Sequence, residues 1–196
     1  MIKILLTIGL FILTPSFAQD SKSNYLDEDK MNYSNIRPFV GLDGGYSYVN
    51  TTANTGNLDS SLYSYSVYIG IPIWDYEFIL KHKNRSKRDF ELISNSLILN
   101  IPIDGSGTDM TYLGVVGGQG TLTWGDTQKT TLNLISSSAK DSFYGVHIGQ
   151  KYKFSRNFYV RIELEYIKYD FISKTTTSQV SLDNSLEFIY GFEYRF

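Results

Sequence analysis

The sequence closes on "SLEFIYGFEYRF", residues 185–196. Read by twos, Leu186, Phe188, Tyr190, Phe192, Tyr194 and Phe196 make one apolar, mostly aromatic file. Glu187, Ile189, Gly191, Glu193 and Arg195 make the other. A period of two is the signature of a β-strand. One face is greasy and the other carries both signs of charge, so the fold turns on which solvent each face meets.

The alternation recurs upstream. Phe158, Val160, Ile162, Leu164 and Tyr166 oppose Tyr159, Arg161, Glu163, Glu165 and Ile167. Before them, Tyr144, Val146, Ile148, Tyr152 and Phe154 oppose Phe143, Gly145, His147, Gly149, Lys151 and Lys153. The pattern predicts eight strands, near residues 38–49, 62–73, 76–85, 90–103, 110–124, 142–154, 158–171 and 182–196. Residues 110–124 and the first half of 90–103 alternate poorly. No segment shows a helical period.

Composition agrees with an all-β chain. The 196 residues allow one domain, two at most. Aromatics are 15%, chiefly 16 Tyr and 12 Phe, against only 4 Pro, as strands favour. With no Cys there is no disulfide framework, thiolate metal site or Cys nucleophile. A net charge of −2 argues against nucleic acid as a partner.

The first residues read as an export signal. Met1-Ile2-Lys3 is a short basic start, and Ile4 to Leu13 is an apolar run too short to span a bilayer. Ser16-Phe17-Ala18 puts small residues at the −3 and −1 positions of a cleavage site. The expected organisation is a cleaved signal peptide over 1–18, a flexible periplasmic lead-in over 19–36, and a barrel over 37–196.

The connections alternate in length. "WD" after Ile73, "DGSGTD" after Ile103 and "SRN" after Phe154 are tight turns. Residues 50–61, 86–89, 125–141 and 172–181 form longer or more polar links. Short turns at one end and loops at the other are the layout of an outer-membrane barrel. The regular files run about 10 residues, the length of a tilted membrane strand. Gly41, Gly45, Gly70, Gly145, Gly149 and Gly191 fall in the polar files, where a narrow lumen needs room. The expected fold is an all-β, eight-stranded antiparallel up-and-down transmembrane β-barrel. A soluble exported ligand-binding β-barrel with an apolar interior is the alternative.

Two stretches carry a resemblance. "YGFEYRF", residues 190–196, resembles the closing strand of bacterial outer-membrane barrels. "PFVGLDGGYSYV", residues 38–49, looks like the first strand of the small opacity-protein-like and OmpA-like barrels of the porin family. The resemblance implies the cell outer membrane of a Gram-negative bacterium. It also implies that Tyr194 and Phe196 are the assembly signal read by the barrel-assembly machinery. It implies architecture and location rather than activity, because such folds host many functions.

The chemistry-bearing residues are few. His82 lies in an apolar file, and "HKN" puts Asn84 where a lipid-hydrolysing barrel would carry Ser. A lipid-modifying enzyme is therefore disfavoured, and the chain is read as non-enzymatic, with no cofactor and no metal spacing. If "SRN" pairs Phe154 with Phe158, His147 faces Glu165 and Lys151 lies diagonal to Glu163, which reads as structural ion pairing. The lumenal files carry Lys81, Lys83, Lys151, Lys153, Arg161 and Arg195 against Asp43, Glu77, Glu163, Glu165, Glu187 and Glu193. That balance predicts a filled lumen, with a narrow solute channel as the alternative. Arg85, Lys87 and Arg88 crowd one hairpin tip and are read as a lipopolysaccharide phosphate contact. The remaining expected partners are outer-membrane lipid and an extracellular protein or host ligand at the loops. The expected role is structural or surface-interacting.

Overall fold

The computed structural model describes residues 37–53, 56, 57, 60–87, 90–105, 109–175 and 179–196. The segments expected to be a signal peptide and a lead-in, and Arg88, lie outside these. The alternating files form eight long strands: β1 (Phe39–Ala53), β2 (Ser60–Ile73), β3 (Tyr76–Lys87), β4 (Phe90–Gly105), β5 (Asp109–Trp124), β6 (Ser138–Lys153), β7 (Phe158–Lys174) and β8 (Gln179–Arg195). Gly56–Asn57 folds back on Thr52 and Ala53 and lengthens the first hairpin. Each strand pairs antiparallel with its neighbour in sequence, and β8 pairs with β1. The sheet is thus closed and its eight long strands leave no free edge.

The register fixes the size of the barrel. Starting at Phe39, the partners run Gly70, Ile79, Ile98, Val116, Gly145, Ile167, Ser185 and back to β1 at Val49. One circuit is displaced by 49 − 39 = 10 residues. Eight strands with that stagger tilt about 40° from the axis, on a cylinder of roughly 8 Å radius. All nine residues of the circuit point inward. An interior of this width holds side chains and little else.

Inward glycines make that crowding feasible. A Cβ on Gly41 would lie 2.0 Å from the Tyr68 ring, and one on Gly70 would lie 2.3 Å from the Phe39 ring. Phe39 and Tyr68 meet edge to face at 6.3 Å between ring centres. Glycine therefore stands where a neighbouring aromatic ring lies flat over the strand.

At the turn end, Trp74 and Asp75 join β2 to β3. Trp74 holds φ at 55°, a left-handed value that favours glycine. It is among the most exposed side chains of the barrel. An exposed Trp at a strand end fits the membrane–water interface, where such rings anchor.

The strands run further toward the loops than the sequence pattern predicts. β1 continues past Val49 to Ala53, β6 begins at Ser138, β7 reaches Lys174 and β8 begins at Gln179. In β7 the reason is visible. Its inward file passes from Arg161, Glu163 and Glu165 to Ile167, Tyr169 and Phe171, while Lys168 and Asp170 face out. Toward the loop end the apolar side is inside, so the alternation inverts and resembles a strand end. Bulges at Asn50/Thr51 and Lys168/Phe171 add to the irregularity.

The inversion builds a small apolar plug at the loop end. Val49, Leu62, Leu92, Leu122, Trp124 and Phe171 are buried there together. The connection 125–141 caps it, and here the structure corrects the expectation of no helix: Asp126–Thr131 forms a six-residue helix, α1. Too short for a periodic signal, it opens with the Lys129 amide donating to Gly125 at 2.9 Å. Leu134 follows it into the plug, and Trp124 Nε1 donates to Ser173 Oγ at 3.0 Å.

Gly41→Ala is expected to destabilise the barrel by about 1–3 kcal/mol, because the Tyr68 ring must leave its place. The unfolding temperature of the compact band on a semi-native gel should fall. Tyr68→Ala in the same chain should restore part of the loss.

Candidate functional site

Two surfaces define what the barrel can do. The first is its outside. Leu42, Leu97 and Phe192 are each 62% exposed, amid a continuous apolar wall of Tyr, Phe, Ile, Leu and Val. Soluble proteins rarely expose apolar surface on this scale. Among the described residues no helix is long and apolar enough to cross a membrane, so crossing falls to the strands. A closed barrel satisfies every ladder hydrogen bond internally, as a bilayer demands.

The second surface is the lumen, where twelve charges stack in three tiers. Each tier holds two cations and two carboxylates. Nearest the loops, Lys83 Nζ lies 2.5 Å from Glu165 and 3.1 Å from Glu187. Arg85 donates to the same two at 3.1 and 2.8 Å, and Ser64 also donates to Glu187.

In the middle tier, Lys81 lies 3.0 Å from Asp43 and 3.6 Å from Glu163. Arg161 grips Asp43 through Nε at 3.0 Å and Nη2 at 2.9 Å, and reaches Glu163 at 3.1 Å. Tyr112 donates to Glu163 at 2.6 Å and Ser66 to Asp43 at 2.9 Å. The Arg161 guanidinium also rests 4.1 Å from the centre of the Tyr68 ring.

At the turn end, Lys151 lies 2.8 Å from both Glu77 and Glu193. Arg195 donates to Glu77 and, through Nε at 2.7 Å, to Glu193. Asn100 donates to Glu77 at 3.3 Å.

Each tier is formally neutral, and of the twelve charged side chains in the three tiers all but Arg195 are almost wholly buried. The strand geometry dictates this. Inward residues on one strand lie two apart, so Lys81, Lys83 and Arg85 climb β3 while Arg161, Glu163 and Glu165 climb β7. Cations on β3 meet carboxylates from β1, β7 and β8 across the lumen. Buried charges are tolerable only when paired and hydrogen-bonded in this way.

No family model and no curated protein sequence matches the chain. Among solved structures, the barrel is similar to Neisserial surface protein A, with a TM-score of 0.61 at 18% identity, over 80% of this chain and 97% of that one. The chain has the fold of the small outer-membrane barrels. The outer membrane protein OprG of Pseudomonas aeruginosa gives a TM-score of 0.53 at 13% identity, over 82% and 96% of the two chains. The attachment invasion locus protein Ail of Yersinia pestis, in complex with the heparin analogue sucrose octasulfate, gives 0.50 at 16% identity, over 81% and 99%. Fold and apolar belt together suit a barrel that crosses a membrane with its strands.

Several side chains stand elsewhere than the sequence suggests. Arg85 is not on the outer surface for lipopolysaccharide: the odd parity it shares with Lys81 and Lys83 turns it into the lumen, where it is 1% exposed. It takes the place expected of Lys153, which is only half-buried near the turn end. Lys87 is exposed. The β6–β7 register is as the "SRN" turn implies, with His147 opposite Glu165 and Gly149 opposite Glu163. Its ion pairs are not. Lys151 reaches across the lumen to Glu77 and Glu193 instead of Glu163, and His147 Nε2 meets Asn100 Oδ1 at 2.7 Å instead of Glu165. Long side chains in a narrow barrel pair across it as readily as along its wall. His82 faces outward and bonds Asn95, an amide and not a hydroxyl nucleophile.

The middle tier makes a test. Glu163→Gln should strand Lys81 and Arg161 against Asp43 alone and cost on the order of 3–5 kcal/mol. Adding Lys81→Met restores neutrality, so the double variant should unfold at a higher temperature than Glu163→Gln in detergent. A double variant no more stable than the single one would refute the pairing.

Proposed function

We propose that this protein is a structural and surface-interacting outer-membrane barrel whose lumen is closed by side chains and whose loops meet partners outside the cell. The observation that carries the reading is the contrast of surfaces: an apolar wall outside, and neutral tiers of ion pairs inside. A pore that selects ions is expected to carry an excess of one sign at its constriction. The reading is non-catalytic, since each of the two histidines bonds an amide side chain and the buried carboxylates already hold cations.

The loops carry the interaction role. Residues 125–141, with α1 and the buried Leu134, form an ordered cap and not a bare linker. Ail's ligand is a polyanion, but a polyanion suits this chain less well. Among the described residues at the loop end, Lys87, Lys129, Lys140, Lys168 and Lys174 are matched by Glu91, Asp126, Asp141, Asp170 and Asp183. A mixed surface of that kind favours a protein partner over a sulfated chain. Lys87 remains a candidate contact for lipopolysaccharide phosphate.

Tyr194 and Phe196 are proposed as the assembly signal. Phe196 is 60% exposed and touches the Tyr194 ring edge-on at 5.2 Å, so its side chain adds little to packing. Its backbone is better held, with its amide donating to Pro38 at 3.1 Å and Arg37 Nε donating to its carbonyl at 2.7 Å. Deleting Phe196 should slow insertion in pulse-labelled cells while leaving the unfolding temperature of inserted protein nearly unchanged. Insertion at the normal rate would refute the role.

Epitope tags test the topology. A tag within residues 125–141 should label on intact cells, and a tag within 155–157 only after the outer membrane is breached. The reverse pattern would overturn the orientation.

A further inference from the structure

Among the described residues, the lipid-facing wall is broken by a polar pair below its upper edge. On β3 the outward file runs Tyr76, Phe78 and Leu80, then changes to His82 and Asn84. Asn95 of β4 stands directly opposite His82, with His82 Nδ1 and Asn95 Oδ1 2.8 Å apart. Both residues are exposed. Neither His82 Nε2 nor the Asn95 amide nitrogen has a partner among the described residues.

The register gives their depth. With strands tilted about 40°, His82 lies about 14 Å and Asn95 about 17 Å above the level of Phe39. On the adjoining strands the outward aromatics Tyr48 and Tyr63 carry the wall to about 21–22 Å on the same scale. The pair is therefore sunk about 6 Å below the upper edge of the wall and faces the outer leaflet. Polar groups facing hydrocarbon are costly, so they seek partners there. Gln119, level with them in register on β5, lies nearer the edge because the rows climb around the barrel.

Below the pair runs a groove of about 840 Å³ on the outside of the barrel. Its floor is Val40, Leu42, Val67 and Leu80, and Phe192 and Tyr194 wall it. The groove follows the hydrogen-bonding rows obliquely across the strands, from Phe158, Phe192 and Tyr194 at its lower end to His82 and Asn95 at its upper end. A tilted lipid tail fits such a groove, and the sunken pair offers it a donor and an acceptor at the upper end, below the edge of the wall.

We propose that this groove binds one outer-leaflet lipid, a glycolipid whose acyl chains carry a hydroxyl a few carbons below the headgroup, and that His82 and Asn95 hydrogen-bond that hydroxyl. Glycerophospholipids fit less well, because their ester groups lie at the interface and their tails carry no hydrogen-bonding group at this depth. The proposal rests on the reading of the chain as an outer-membrane barrel.

The test uses the full barrel in nanodiscs with three probes: a lipid A bearing 3-hydroxyacyl chains, the same lipid lacking those acyl hydroxyls, and phosphatidylethanolamine. Native mass spectrometry counts the lipid retained per chain. Wild type should prefer the hydroxylated lipid over the other two by about tenfold, the worth of one or two hydrogen bonds facing lipid. His82→Leu/Asn95→Leu, which completes the apolar wall, should lose the preference and retain phosphatidylethanolamine as wild type does. Equal retention of all three probes by wild type would overturn the proposal, with or without a folded variant. So would a two-chain species that vanishes in the variant, because the groove would then seat a second copy. A wild-type chain that shows no heat-modifiable band would instead refute the barrel reading itself.

Discussion

Charge neutrality inside the barrel is the constraint on which the rest depends. A stagger of 10 residues over eight strands leaves an interior only side chains can fill. Those side chains include twelve charges, and each needs a partner of opposite sign within reach. The three tiers meet that need with two cations and two carboxylates apiece. Arg and Lys share each tier, with the Arg fork reaching two acids at once, as Arg161 does with Asp43 and Glu163. The inward glycines, the aromatic rings over them and the tier contacts are three parts of one packing solution.

The outside follows from a different solvent. Lipid asks only that the wall be apolar and that no ladder bond be left open, and the eight outward files comply almost everywhere. Above the membrane both demands reverse. The lumen becomes apolar around Trp124, Phe143 and Phe171, and the outer faces turn polar. The protein thus carries two cores of opposite character, stacked along one set of strands.

Much of this was legible in the sequence, for physical reasons. The alternation in residues 158–166 and 185–196 reports a strand between two unlike solvents, and eight such segments with alternating short and long links leave few topologies. The β6–β7 register followed from one three-residue turn. The cross-lumen partners did not, because they depend on the stagger of all eight strands together. That is why Lys151 meets Glu77, 74 positions away, and not Glu163 on the next strand. Arg85 was obscured by its neighbours, since a basic run at a hairpin tip looks like one exposed patch when every second residue in fact points inward. α1 has too few turns to leave a period, and the loop-end strand extensions were hidden by the inversion of the apolar file.

The account joins a sealed interior to a surface role, and conductance separates that from a channel most directly. Purified barrel should be refolded, shown to be heat-modifiable, and inserted into a planar bilayer. The closed, neutral lumen predicts no large, steady conductance step at any applied voltage the bilayer tolerates. A stable open channel of porin size would contradict the sealed lumen and with it the eight-strand, 10-residue stagger from which it follows.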